Sequence, residues 1–100
     1  YKTMKKVNLQ DVKKAQMILR AINHKSRQQI LDLIESRIQI NVTQIYHQLD
    51  LEQSVASQQL AILRKANIVK TKREGKIIWY SINFATLERI TKYTNKLINN

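Results

Sequence analysis

The stretch "SVASQQLAILRKANIVKTKREGKIIWYSI", Ser54 to Ile82, changes period halfway along. Up to Ala66 its apolar residues recur at three- and four-residue steps, the spacing of one helical face. From Ile68 onward, two arms of β-branched and aromatic residues flank "REGK", the pattern of a hairpin. Gly75 supplies the positive φ that a tight turn needs there. The helix is predicted from Gln53 to Ala66. Projected at about 100° per residue, Ala56, Leu60 and Leu63 share one arc with Val55, Gln59, Ile62 and Ala66. Ser54, Ser57, Gln58, Ala61, Arg64 and Lys65 take the opposite arc. That polar arc is short-chained near the N-terminal end and basic near the C-terminal end. Gln59 lies within the apolar arc and reads as a supporting residue.

Moving towards the N-terminus, Thr43 is placed to cap a short helix containing Ile45, Tyr46 and Leu49, with a turn over Asp50 to Gln53. "IQINV", Ile38 to Val42, alternates like a short strand. Ser26 is the expected cap of a helix with Ile30, Leu31, Leu33 and Ile34, and Asn8 the cap of a first helix reaching Ile22. Towards the C-terminus, Ile78, Tyr80 and Ile82 are expected on the core side of the hairpin, with Ile77, Trp79 and Ser81 opposite. A last helix is predicted over 85–98, where Leu87, Ile90, Thr94 and Leu97 repeat as in a packed helix pair. The fold class is mainly α with a small β-hairpin. The order is that of a winged helix-turn-helix, with the helix-turn-helix at about 43–66 and the wing at about 68–82. Terminal helices at about 8–22 and 85–98 complete one domain over residues 1–100.

The chain has 18 Lys and Arg against 7 Asp and Glu, a net charge of +11. On so small a chain this is the footprint of a protein that meets a polyanion. Cysteine is absent, which excludes disulfides and thiol-based metal sites. There is no signal-peptide pattern, and no apolar run reaches the roughly 20 residues needed to span a bilayer. The expected location is the cytoplasm, with no membrane partner. No Gly-rich phosphate loop and no nucleophile–base–orienter set is visible, so no enzyme is expected.

With these elements placed, the chain resembles the ArsR/SmtB transcriptional repressors from about Leu19 to Ile82. "LRAINHKSRQQILDLI" is similar to the family's "LKALADPTRLRILxLL". "VTQIYHQLDLEQSVASQQLAILRKANIVKTKREGKIIWYSIN" is similar to its helix-turn-helix and wing, with Ser57, Leu60, Leu63, Arg64, Ala66, Val69, Gly75 and Tyr80 among the residues in register. Asn67 stands where the family commonly has Gly; Asn is the next best residue for the left-handed position after a helix. His24–Lys25 replaces the family's Asp-Pro. The family's metal ligands are missing. "NVTQIYHQL" holds no thiol and "FATLERITKYTNKLINN" no histidine, so neither a metal nor any other cofactor is expected. His47 and Asp50 lie three apart, but two ligands do not complete a zinc site.

The expected function is sequence-specific binding of double-stranded DNA by a dimeric transcriptional regulator, a repressor in the sense the resemblance implies. Gln53, Ser54, Ser57 and Gln58 are assigned to base edges, since small donor/acceptor groups at a helix N-terminal end suit the major groove. Thr43, Gln44, Arg64 and Lys65 are assigned to the DNA backbone. Lys70, Lys72, Arg73 and Lys76 form the basic wing, with Glu74 expected to point away or to pair with Arg73 or Lys76. Leu9, Val12, Ile18, Leu87, Ile90, Leu97 and Ile98 are candidates for a twofold interface. A homodimer on a pseudo-palindromic operator would follow, with release by an unknown small molecule at the dimer interface, by a protein effector, or with no ligand at all. The alternative is a winged helix used as a protein–protein interaction module; RNA binding is disfavoured because Trp79 is the one loose aromatic candidate.

Overall fold

Two residues that are neither Gly nor β-branched adopt the left-handed backbone at the points where helices must stop. They are Asp50, with φ of 53°, and Asn67, with φ of 62°. Asn and Asp tolerate this region better than other non-glycine residues. Each closes a Schellman motif. Leu51 N–H donates to Tyr46 O at 2.9 Å and Asp50 N–H to His47 O at 3.4 Å; Ile68 N–H donates to Leu63 O at 3.0 Å and Asn67 N–H to Arg64 O at 2.9 Å. The helices on either side of the first turn are therefore fixed relative to each other by backbone geometry.

The computed structural model describes residues 9–98, with side-chain environments for residues 9–92. The elements are α1 (Leu9–Ile22), α2 (Lys25–Arg37), β1 (Ile40–Asn41), α3 (Val42–Gln48), α4 (Gln53–Lys65), β2 (Val69–Glu74), β3 (Ile77–Ile82) and α5 (Phe84–Ile98). The strands form an antiparallel sheet in the order β1-β3-β2. Glu74 pairs with Ile77, leaving Gly75 and Lys76 as a two-residue turn in which Gly75 takes a φ of 63°. This mainly helical fold with its small sheet is the winged helix-turn-helix expected from the sequence.

The core gathers Ile30 and Ile34 of α2, Ile45 of α3, Leu60 and Leu63 of α4, and Ile40, Ile68, Val69 and Ile82 from the sheet and its approach. Each such side chain contributes about 1.5–3 kcal/mol by leaving water. Ala15, Ile18 and Ala21 give α1 a buried stripe at three-residue steps, which seats it on the domain.

Four local expectations are corrected. Asn41, not Thr43, caps α3: Asn41 Oδ1 accepts from Gln44 N–H at 2.9 Å, and Gln44 Oε1 accepts from Asn41 N–H at 3.2 Å. This reciprocal capping box draws Val42 into the helix and shortens the "IQINV" strand to Ile40–Asn41. Ile38 ends α2 with a φ of 68° and stands 85% exposed, so it belongs to no strand. The cap of α2 falls at His24, in extended backbone and without a side-chain cap bond, rather than at Ser26. The cap assigned to Asn8 lies outside the described residues. The hairpin faces hold in part: Ile82 is buried and Tyr80 packs on the core, whereas Ile78 is exposed because the hairpin tip extends beyond the core.

Candidate nucleic-acid interface

The physical division of α4 is between its buried and exposed positions. Ala56, Leu60 and Leu63 have no exposed surface and fix the helix to the core. Gln53, Ser54, Ser57, Gln58, Arg64 and Lys65 are all exposed. Gln59 is half-buried, and its Oε1 accepts from Arg27 Nη1 at 2.9 Å. Arg27 also donates to the carbonyls of Ala21 and Arg20. One guanidinium thus joins the C-terminal end of α1 to the inner side of α4, satisfying carbonyls that a helix end leaves unpaired.

The first turn of α4 is open. Its N-cap residue, Glu52, makes no side-chain cap bond. The first helical bond there is Ala56 N–H to Glu52 O at 3.0 Å. The N–H groups of Gln53, Ser54 and Val55 precede it and carry the positive end of the helix dipole. Beside them stand short polar side chains of the kind that reach base edges, and amides suited to a phosphate.

The exposed Thr43 and Gln44 open α3. The Oε1 of Gln44 is committed to the capping box, leaving its Nε2 as the group able to donate outward. His47 stacks obliquely on Tyr46, with ring centroids 4.7 Å apart. Among the described residues no group of three or more His, Cys, Asp or Glu side chains could hold a metal ion. With no thiol on α3 and no histidine on α5, the donors present do not fit the metal that the family resemblance implies.

The register divides the wing. Lys70 and Lys72 pair across to Ser81 and Trp79 on one face; Arg73 pairs with Ile78 on the face shared with Val69 and Ile82. Lys76 sits in the turn. The four cations therefore surround the tip and do not form one row. Glu74 pairs with Lys72 at 3.6 Å, not with Arg73 or Lys76, because Lys72 shares its face two residues away. Arg73 Nε donates instead to Gly75 O at 3.1 Å. Trp79 is half-buried, with its indole N–H buried and without a partner among the described residues, so it is not a free stacking platform.

Of the candidate interface residues, Leu9 is 69% exposed and Val12 half-buried. Leu87 and Ile90 are half-buried against the core. Ile18 is only 7% exposed and is a core residue of its own chain, so it is removed from the twofold surface. The side chains of Leu97 and Ile98 lie outside the described residues. Sequence reasoning also missed Phe84, 65% exposed at the start of α5, because it falls outside the heptad-like seam that drew attention to Leu87 and Ile90.

Residues 24–71 match the bacterial regulatory protein family arsR. The transcriptional repressor PagR of Bacillus anthracis is 36% identical over 80 residues, which make up 80% of this chain and 80% of that protein. The transcriptional activator HlyU of Vibrio cholerae is 28% identical over 95 residues, 91% of this chain and 87% of that protein. The crystal structure of PagR superposes with a TM-score of 0.73 at 33% identity, covering 88% of this chain and 100% of that one.

Proposed function

This chain belongs to the arsR family of bacterial regulatory proteins and is a DNA-binding transcriptional regulator, not an enzyme; from that premise we propose how it reads its operator. Gln53, Ser54, Ser57 and Gln58 meet base edges in the major groove, with α4 inserted N-terminal end first. Thr43, Gln44, Arg64 and Lys65 hold phosphates on either side, and Lys70, Lys72, Arg73 and Lys76 extend the contact along the duplex. The observation that carries this reading is the two-sided character of α4: one side is anchored by Ala56, Leu60 and Leu63, which have no exposed surface, and the other is polar around an open first turn.

The regulator acts as a homodimer on a pseudo-palindrome, in the cytoplasm, where a bacterial chromosome is found. Exposed Leu9 and Phe84 with half-buried Val12, Leu87 and Ile90 supply apolar surface for the twofold contact. Repression would follow from steric block of a promoter. The named relatives include one repressor and one activator, so the direction of control depends on where the operator lies. Footprinting on a selected operator tests the arrangement. Two protected major-groove segments about one helical turn apart are expected; a single short protected segment, with a monomer in sedimentation, contradicts it.

A further inference from the structure

Ile62 falls on the apolar arc of α4, yet it is 41% exposed, and Met17 of α1 is 44% exposed. The two line one groove of about 520 Å³, between α1, the start of α2 and the C-terminal end of α4. Four cations share its walls: Lys13, Arg20, Arg27 and Lys65. Among the described residues no Asp or Glu lines it. Helix ends account for part of this pattern. Arg20 and Lys65 sit in last turns, where a cation is favoured by the helix dipole. That does not account for Lys13, in the N-terminal half of α1, nor for two exposed apolar side chains between the charges. Arg27 adds unspent donors. A guanidinium carries five N–H groups, and Arg27 gives one each to Ala21 O, Gln59 Oε1 and Arg20 O. One N–H remains on Nη1 and one on Nη2.

We propose that this groove docks an acidic segment of a partner protein, with an apolar side chain of that segment seated between Met17 and Ile62. Carboxylates of the segment meet Lys13, Arg20 and Lys65, and the free N–H groups of Arg27 take a carboxylate or a backbone carbonyl. The residue types suit the task. Met and Arg are enriched where proteins meet, and the flexible Met side chain adapts to varied partners. Charge complementarity selects the occupant. A second copy of this chain carries a net charge of +11 and is repelled by four unopposed cations. None of the apolar residues offered above for the twofold contact lines the groove, so a dimer leaves it open. A duplex is the other polyanion at hand, but its phosphate backbone brings no apolar side chain for Met17 and Ile62. Position argues the same way. Ile62 lies nine residues beyond Gln53, about 14 Å along the helix from the open first turn. Lys65 alone belongs both to the groove and to the proposed DNA contact.

The test is a fluorescence anisotropy titration of the full chain with a labelled peptide of alternating glutamate and leucine, beside a second peptide with serine at each leucine. Saturable binding of the leucine peptide is expected, about fivefold tighter than the serine peptide and weaker as salt rises. Arg20→Glu should weaken it about fivefold, the size of one exposed ion pair turned repulsive. Arg37→Glu is the matched control. It makes the same charge change, also in the last turn of a helix, at a residue ten positions beyond Arg27 on α2. That is about 15 Å along the axis, further than the screening length at physiological salt, so binding should change less than about twofold. Ile62→Ser replaces an exposed side chain, which serves if Arg20→Glu does not fold. It should weaken the leucine peptide about fivefold and leave the serine peptide unchanged. Equal binding of the two peptides, or equal effects of Arg20→Glu and Arg37→Glu, would overturn the site by reducing it to general attraction between opposite charges. No effect of Ile62→Ser would overturn it by assigning the leucines to other exposed apolar residues such as Leu9 and Phe84. A duplex titration separates the remaining occupant. If Arg20→Glu weakened duplex binding as much as peptide binding, with Arg37→Glu doing neither, the groove would belong to the DNA backbone and not to a protein. Failure of base reading at α4 leaves the peptide result unaffected.

Discussion

At Ser57 and Gln58 the side chains reach solvent from a helix anchored on its other side by the buried Ala56, Leu60 and Leu63. Removing them should therefore alter recognition without altering the fold. The double change Ser57→Ala with Gln58→Ala should keep the melting temperature and reduce discrimination among sites by about 1–3 kcal/mol per lost base contact. Lys72 behaves differently. Its Glu74 partner lies 3.6 Å away and both side chains are exposed, so the pair itself is worth little. Lys72→Ala should weaken all duplexes alike and reduce the salt slope by about 1. Glu74→Gln, which frees Lys72 and removes a repulsive charge, should tighten binding in a salt-dependent way; unchanged affinity across a salt titration would place the wing off the DNA. Asn67 allows a backbone test. Asn67→Gly should leave stability within a few tenths of a kcal/mol of the original, while Asn67→Ala should cost about 1 kcal/mol in denaturant melts, since at a φ of 62° the short polar side chain of Asn is tolerated better than that of Ala.

Among the elements, α3 and α4 stand on different kinds of support. α3 is only seven residues long and relies on its capping box. Asn41→Ala should cost about 1 kcal/mol, and Thr43→Ala close to nothing, in the same melts. The reverse order would restore Thr43 as the cap. α4 is held by burial and by Arg27. Leu60→Ala should cost about 2–5 kcal/mol, and Arg27→Met about 1–3 kcal/mol by stranding the half-buried Gln59 carbonyl. The sequence made the long elements legible because their apolar period is strong: α4 and the hairpin fall within a residue or two of expectation. Gln59 was legible as a supporting residue from its arc alone, though its partner, thirty-two residues earlier, was not. Caps were the weak point. Asn41, Thr43 and Ser26 are all good capping types, and which one is used depends on where tertiary contacts let the helix begin. The pairing of Glu74 with Lys72 was within reach of the sequence, since strand alternation, applied to the first arm of the hairpin as to the second, puts residues two apart on one face.

Across the whole molecule, a net charge of +11 supplies affinity for any duplex, and the proposed reading assigns preference to the face of α4. The charge by itself would fit a protein–protein module binding an acidic partner, so the distinction rests on specificity. Chelators and added zinc should leave DNA affinity unchanged, because α3 and α5 lack the donors for a metal switch. The central claim is that Gln53, Ser54, Ser57 and Gln58 read bases. It is tested most directly by selecting preferred duplexes from a random pool with the native chain and with the Ser57→Ala/Gln58→Ala variant in parallel. The native chain should enrich a two-part, near-palindromic motif, and the variant should bind DNA with that motif degraded at matching positions in both halves. An identical motif from the two proteins, or no motif from the native chain, would contradict the claim.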